Sequence, residues 1–275
     1  MIEIPEAAVL AEQINEILVG KVIHSVIVNH SPHKLAWFSG EPQNYESLLS
    51  GKTVTKALAF GGILEIQLED VRISLSDGVA LKYHHVKEKL PKRHQLLIEF
   101  EDSSVITATV QMYGGICCFN EGDYDNKYYL IAKKKPSPLT KDFSPDYFKE
   151  LVENESMQNK SAKAFLATEQ RIPGLGNGVL QDILYNAKIH PKRKVKTFSQ
   201  KEKETLYDSI KSTLLEITLK GGRDTEKDLF GSPGGYKTKL SKKTLGKNCN
   251  LCGDHIVKKA YMGGSIYYCE GCQQE

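Results

Sequence analysis

The sequence predicts an α+β protein of two domains, an N-terminal β-sandwich flanked by helices and a C-terminal helical domain that ends in a cysteine-rich hairpin. Three observations support this fold class: alternating β-branched segments fill the first half, helical periodicity fills most of the second, and paired cysteines close the chain. A length of 275 residues with 40% hydrophobic residues suffices for two cores. We expect the sandwich in residues 1–130, the helical domain in 131–225 and the hairpin in 240–275.

One helix precedes the predicted strands. Pro5 suits a first helical turn, Leu10, Ile14 and Leu18 fall on one face, and Gly20 ends the helix. Glycine, aspartate or proline separates the strand candidates, which are KVIHSVIVNH, GILEIQL, HQLLIEFED and SVITATVQM. These segments favour a sandwich or barrel with a helix against it.

The composition changes at KKKPSPLTKDFSP, residues 133–145, which we interpret as a linker. Helical periodicity follows in DYFKELVEN, SAKAFLATEQ, GVLQDILYNA and SQKEKETLYDSIKSTLLEITLKGG. Ser199 is the predicted N-cap of the last helix, and Gly221-Gly222 is its predicted end.

Positive charge is concentrated in the C-terminal half. The net charge is only +3, but residues 188–203 carry seven Lys/Arg against one Glu, and the segment from Lys220 onward carries ten against six acids. Such clusters favour a polyanionic partner, nucleic acid above all, although a solvated lysine-rich face has the same composition. MIEIPEAAVL has glutamates where a signal sequence needs an apolar run, and no window approaches a membrane span. We therefore expect a cytoplasmic protein, nucleoid-associated if bacterial.

Four cysteines form the strongest local motif. Cys249 and Cys252 make one Cys-x-x-Cys pair, and Cys269 and Cys272 make another after sixteen intervening residues. This spacing is typical of a four-thiolate zinc site, so we predict one structural Zn²⁺ holding a zinc-ribbon β-hairpin whose tip is Gly263-Gly264. The adjacent Cys117 and Cys118 lie in a strand-like run and are predicted to be packing residues.

A tight glycine turn, Gly174-Leu-Gly176-Asn177, opens one of the predicted helices. Such a turn leaves backbone N–H groups free to meet a phosphate, although alone it is as well explained by a helix connector. A helix around Lys163 precedes it and the basic segment from 188 follows, so the combination favours a DNA-backbone clamp. At the N-terminus, Glu3 and Glu6 are either first-turn acids favoured by the helix dipole or carboxylates placed beside a nucleophilic α-amino group.

Together these features resemble the formamidopyrimidine-DNA glycosylase and endonuclease VIII (Fpg/Nei) family of base-excision repair enzymes. The matching motifs are M-x-E-x-P-E at the start, P-x-P-L-x-x-D-F at 136–143, the helix-two-turn-helix G-x-G-N, I-H-P-x-R at 189–193, and the four-cysteine hairpin. The resemblance implies binding of duplex DNA between the domains, eversion of a damaged base, attack on the sugar by an N-terminal proline amine, and β,δ-elimination. It assigns Glu3 and Glu6 to the catalytic and supporting glutamates, Asn177 to the phosphate-binding asparagine, and the four cysteines to the zinc ligands.

Several family residues are replaced. The family begins Met-Pro, whereas this chain begins Met1-Ile2, which we expect to retain Met1 and to leave its amine one residue too far out. The family's catalytic lysine falls at Gly62 in this chain. The D-x-R-R-F-G motif falls at 110–115, where Met112 or Tyr113 could serve as an apolar wedge, and the hairpin tip has no phosphate-gripping arginine.

We therefore predict a monomeric DNA-binding protein of the Fpg/Nei fold, acting on damaged or abasic duplex DNA, whose glycosylase and lyase chemistry is weakened or lost. One alternative is an active glycosylase that uses the Met1 amine or a water activated by Glu3. Another is an RNA-binding or protein-binding module that keeps the zinc ribbon for structure. The candidate catalytic residues are Met1, Glu3 and Glu6, and the candidate DNA contacts are Arg93, His94, Lys163, Gly174, Gly176, Asn177, Lys192, Arg193, Lys258 and Lys259.

Overall fold

The computed structural model describes residues 1–275, and two groups of elements follow one another along the chain. The first group comprises α1 (Ile4–Ile17), β1 (Ile23–Val28), β2 (Ala36–Phe38), α2 (Tyr45–Leu49), β3 (Lys56–Phe60), β4 (Ile63–Leu68), β5 (Val71–Ser76), β6 (Val79–His84), β7 (Leu96–Phe100), β8 (Val105–Val110), β9 (Gly114–Asn120) and α3 (Lys127–Lys134). The second comprises α4 (Pro145–Glu153), α5 (Ala162–Ala167), α6 (Asn177–Asn186), α7 (Gln200–Leu219), β10 (Ile256–Tyr261) and β11 (Gly264–Cys269). The order confirms the α+β fold class.

Two sheets form the N-terminal sandwich. One has the strand order β1-β7-β8-β6 and the other β2-β9-β5-β4-β3, and only β2 and β9 pair in parallel. A core of 29 buried residues fills the space between the sheets, because strand side chains alternate between faces and α1 packs its apolar stripe on β3 and β4. Leu10, Ile14 and Leu18 are buried as predicted.

The sequence pattern misses two short helices in this half. Residues of α3 read as the approach to a linker, but Asn126 accepts hydrogen bonds from the N–H groups of Tyr128 and Tyr129 and thereby caps a helix that extends to Lys134. The short helix α2 has only five residues, too few for a periodic signal.

The helical domain has its own core of 23 buried residues, to which all four of its helices contribute. The Glu202 N–H donates to the Ser199 hydroxyl oxygen, and the Ser199 N–H donates to the Glu202 carboxylate, so that Ser199 caps α7. Helix α7 ends before Gly221 and Gly222, which both have positive φ, so the predicted start and end are confirmed. None of the helices has the length and hydrophobicity needed to cross a membrane.

The two domains meet at the N-terminus. Ile4, the first residue of α1, is buried in the helical-domain core, and Leu229, from the segment after α7, is buried in the sandwich core. The Ile4 N–H donates to the Gly174 carbonyl at 3.1 Å, and α1 packs against α7. These contacts place the first residues of the chain at the base of a cleft between the domains.

Strands β10 and β11 form the C-terminal hairpin, with Ile256 opposite Cys269 and Tyr261 opposite Gly264. The turn residues are Met262 and Gly263, with φ of 52° and 69°, which is the backbone signature of a type I′ turn. The predicted tip at Gly263-Gly264 is therefore wrong by one residue, because Gly264 already belongs to the strand ladder.

Candidate functional site

The first two nitrogen atoms of the chain are both engaged. The Met1 α-amino group forms an ion pair with the Glu226 carboxylate. The Ile2 N–H donates to the Asp77 carbonyl at 2.6 Å, while the Ile2 side chain is buried in the sandwich core. With Met1 in place, the Ile2 nitrogen is a secondary amide engaged in a hydrogen bond, and an amide nitrogen is not a nucleophile.

The Glu3 carboxylate joins the two domains. Its oxygens accept hydrogen bonds from the N–H groups of Gly178 and Val179, both at 2.8 Å, in the first turn of α6. A carboxylate at a helix N-terminus satisfies free donors and complements the helix dipole. Burial raises the pKa of Glu3 above its ordinary value, while Arg223 and the two N–H groups act in the opposite direction. A Cβ atom at Gly176 would lie 2.6 Å from Glu3 Oε1, so glycine is required there.

Arg223 is the buried counter-charge of this site. Its Nε and Nη2 donate to the two oxygens of Glu6 at 2.8 and 2.9 Å, and its Nη1 lies 3.6 Å from Glu3 Oε1. Burial opposes ionisation of Glu6, but the guanidinium holds the pKa of Glu6 below its ordinary value. Sequence reasoning missed Arg223 and Glu226, since a single arginine after a double glycine is no recognisable motif. Arg223 and Glu6 are 217 positions apart in the chain.

A contact between two glycine turns closes the base of the cleft. Gly62, between β3 and β4, packs against Gly174, and a Cβ atom on Gly174 would lie 1.8 Å from the Gly62 nitrogen. Gly174 also has a φ of 77°, which favours glycine. A Cβ atom on Gly62 would lie 3.0 Å from the Gly174 Cα and 3.1 Å from the Ile2 carbonyl oxygen. A side chain at position 62 would therefore need the glycine turn and the Ile2 backbone to shift by a few tenths of an ångström.

The cleft has a volume of about 960 Å³ and is lined by both domains and by the hairpin tip. Met1 and Glu3 lie at its base. The only cationic groups on its lining are Lys163 and the Met1 amine. The predicted residues that line it are Met1, Glu3, Lys163, Gly174, Gly176 and Asn177.

Lys163 and Asn177 connect the cleft to the hairpin. Lys163 Nζ donates to the Tyr261 carbonyl at 2.7 Å, and burial lowers the pKa of this amine. Asn177 Nδ2 donates to the Ser265 carbonyl at 3.1 Å, and its Oδ1 is buried without a hydrogen-bond partner. The hairpin tip, the glycine turn and Lys163 thus form one polar surface on the helical-domain side of the cleft.

The other predicted DNA contacts lie outside the cleft lining. Arg93 is exposed, and His94 is buried with its ring stacked on His30 at 4.7 Å. Lys258 and Lys259 are exposed on β10. The side chain of Lys192 lies near the Tyr261 ring, with Nζ 5.8 Å from its centroid.

Arg193 has a structural partner. Its Nη1 lies 2.5 Å from the Glu202 carboxylate, and its Nη2 donates to the Thr197 carbonyl at 2.9 Å. Arg193 therefore holds the acid that caps α7. This hydrogen bond, opposed by partial burial, lowers the pKa of Glu202 from 4.5 to about 2.

We expect Glu202→Gln to destabilise the protein more at pH 7 than at pH 3. Because the folded-state pKa of Glu202 lies below its ordinary value, the carboxylate stabilises the fold fully above about pH 4.5 and loses this effect as the pH falls toward 2. Urea unfolding of wild type and variant at the two pH values measures the difference. Exposed Glu204→Gln is the control, and an equal loss for Glu202→Gln at both pH values would contradict the expectation.

The four predicted metal ligands come together. The Sγ atoms of Cys249 and Cys272 lie 3.7 Å apart, those of Cys252 and Cys269 lie 3.3 Å apart, and all four are within 4.8 Å of one another. A tetrahedron with metal–sulfur bonds of about 2.3 Å has sulfur–sulfur edges of about 3.8 Å, so these residues fit one zinc ion.

Tyr185 of α6 contacts the cysteine cluster. Its hydroxyl lies 3.0 Å from Cys249 Sγ and, with backbone N–H groups, outweighs burial to lower the pKa of Cys249, whereas burial raises the pKa of Cys269 and Cys272. The case for a metal therefore rests on the arrangement of the four sulfur atoms. Cys117 and Cys118 lie buried in β9, as predicted for packing residues.

Comparisons with known proteins agree with this architecture. Residues 1–132 match the formamidopyrimidine-DNA glycosylase N-terminal domain, and residues 135–228 match the formamidopyrimidine-DNA glycosylase H2TH domain. Formamidopyrimidine-DNA glycosylases of Lactobacillus delbrueckii subsp. bulgaricus and Bacillus licheniformis are 27% and 26% identical over 288 and 283 aligned residues, with all of both chains covered.

Solved structures share the fold. The Lactococcus lactis Fpg, solved with DNA that contains an abasic site, superposes with a TM-score of 0.84 at 24% identity, covering 99% of this chain and 100% of that one. The MutM (Fpg) protein of Thermus thermophilus gives 0.81 at 21% identity, with 99% of each chain covered. With both domain models matched in order along the chain, this protein belongs to the formamidopyrimidine-DNA glycosylase (Fpg/Nei) family.

Proposed function

We propose that this protein binds duplex DNA in the cleft between its domains without the glycosylase and lyase chemistry of its family. The observation that carries the proposal is the residue at position 2, where the family resemblance puts a proline and this chain has Ile2. We expect a residue as large as isoleucine to retain Met1, so that the nitrogen at this position is a secondary amide, which donates to the Asp77 carbonyl at 2.6 Å. An amide nitrogen cannot form the imine on which the family's lyase reaction depends.

The neighbouring groups support the same conclusion. The Met1 amine forms an ion pair with the Glu226 carboxylate, which holds it away from the position of the Ile2 nitrogen. The Glu3 carboxylate already accepts two N–H groups of α6, and Gly62, packed against Gly174, stands where the resemblance places a lysine. Three separate parts of the catalytic arrangement are thus used for packing and hydrogen bonding.

Support for DNA binding comes from the surface that is kept. Lys163, Asn177 and the glycine turn face the cleft beside the hairpin tip, and turn N–H groups with a nearby ammonium suit a phosphate. Relatives of the same fold have been solved with DNA containing an abasic site and with DNA containing carbocyclic 8-oxo-G. We propose that one zinc ion, held by the four cysteines, keeps the hairpin tip in position for this binding.

Borohydride trapping tests the absence of lyase chemistry. An amine that attacks the aldehyde of an abasic site releases water and forms an imine, and borohydride reduces this imine to a stable secondary amine. We expect no covalent adduct between this protein and an abasic duplex, with a family member that has the N-terminal proline amine as the positive control under the same conditions. An adduct that maps to Met1, or strand cleavage that disappears in Glu3→Gln, would instead establish an active enzyme using the terminal amine.

Equilibrium binding tests the other half of the proposal. We expect affinity for duplex DNA to fall as salt concentration rises, and to be lower in Lys163→Ala than in the exposed control Lys220→Ala. If no duplex binds at low salt while RNA or a protein partner does, the proposal is wrong and the fold serves another class of ligand.

A further inference from the structure

One wall of the cleft presents three aromatic side chains and one methionine. We call this surface the aromatic wall and define it as Trp37, Met112, Tyr113 and Tyr128. Trp37, Met112 and Tyr128 are 51%, 63% and 63% exposed, and all four residues line the cleft. Single exposed apolar residues are ordinary, but several large ones gathered in one concave surface indicate a binding site.

The aromatic wall is held by the sandwich. Trp37 lies on β2 opposite Gly115 of β9, and its ring is 5.8 Å from that of Tyr113 at an angle of 42°. The Tyr113 carbonyl accepts the Gly78 N–H at 2.8 Å, which anchors the loop between β8 and β9. Because a strand and a backbone hydrogen bond hold Trp37 and Tyr113, little ordering of these two side chains is needed when a ligand binds.

Cationic and hydrogen-bond-donating groups lie on the other side of the same cleft. Lys163 supplies a cation, and the N–H groups of Met262 and Gly263 in the hairpin turn make no backbone hydrogen bond. No arginine lines the cleft, so its lining cannot hold a ligand by many ion pairs. A ligand that combines a flat apolar face with one anionic group matches both sides, and a nucleotide has this combination.

Resting on the proposed DNA binding, we propose that the aromatic wall stacks on an unpaired nucleotide, so that the preferred substrate is duplex DNA interrupted by an unpaired base. Bases inside a continuous duplex are stacked on both faces and offer none to a protein side chain. An unpaired base is cheap to unstack, and aromatic stacking accepts any base. In this proposal the protein recognises that a base is unpaired, and chemical damage to that base has a smaller effect on affinity.

The test uses the only tryptophan of the chain as its reporter. The zinc-loaded protein is titrated with a paired 15-mer duplex and with the same duplex carrying a one-nucleotide bulge, following Trp37 emission and the anisotropy of labelled DNA. We expect quenching of Trp37 by the bulged duplex and roughly tenfold or tighter binding of it than of the paired duplex, as stacking of one base implies. Trp37→Ala should abolish this preference, Trp37→Phe should keep most of it, and Leu219→Ala, 77% exposed on α7, should not change it.

The outcomes separate the two proposals. Equal affinity for both duplexes, or a preference that survives Trp37→Ala, overturns the stacking proposal and leaves DNA binding intact. Failure of both duplexes to bind at low salt overturns both.

Discussion

Replacing Arg223 with methionine is expected to lower the free energy of unfolding by about 3–5 kcal/mol, the usual cost of removing one partner from a buried ion pair. The guanidinium is 3% exposed and makes two hydrogen bonds to Glu6. It also lies 3.6 Å from Glu3 and 4.0 Å from Glu226. Its loss leaves the buried carboxylates of Glu3 and Glu6 close together without a counter-charge. Urea unfolding at pH 7 measures the change.

The control for this prediction is Lys220→Ala. Lys220 lies three positions before Arg223 and pairs with Glu216 on the surface. Such exposed ion pairs contribute about 0–1 kcal/mol to the free energy of unfolding. The double variant Glu6→Gln/Arg223→Met should lose less than the two single changes added together, because it removes both partners of the pair. A loss for Arg223→Met no greater than that for Lys220→Ala would show that the network does not stabilise the domain junction.

Removing zinc is the second change with a large expected effect. The hairpin core contains only five buried residues, two of which are cysteines, so the metal site is a large part of what holds the strands. Structural zinc contributes an apparent ~10–16 kcal/mol in small domains of this kind. We expect Cys252→Ser or chelation to unfold the hairpin and to release Ser265 from Asn177 and Gln181, weakening DNA binding. Metal analysis combined with hydrogen exchange across the chain checks this.

Cys118→Ala is the matched control for the zinc prediction. Cys118 is also a buried cysteine, but it lies in β9 and packs in the sandwich core. This variant should lose some stability and keep one zinc ion per chain. In the Cys252→Ser protein, the sandwich and the helical domain should retain their exchange protection because each has its own core. The expectation fails if Cys252→Ser still holds one tightly bound zinc with a protected hairpin.

Local sequence signals predicted much of the fold and part of the site. The capping residue Ser199, the double glycine after α7 and the cysteine spacing each act over a few positions, and the structure confirms all three. The predicted hairpin tip is one residue too late because Gly263-Gly264 is a stronger local turn signal than Met262-Gly263. The strand register places Met262 in the left-handed conformation instead.

The parts of the site that the sequence does not predict depend on contacts between residues far apart in the chain. Arg223 meets Glu6, and Gly62 meets Gly174, only after the two domains have packed together. A single sequence contains no periodicity that links such positions. The aromatic wall has the same origin, since its members come from β2, the loop before β9, and α3.

The position of Glu3 has a consequence for how relatives of this protein are judged. Its carboxylate closes the first turn of α6 from the neighbouring domain, so any chain that folds in this way needs an acceptor there, with or without catalysis. A glutamate at this position therefore serves domain cohesion as well as any chemistry, and its presence alone is not proof of catalytic activity.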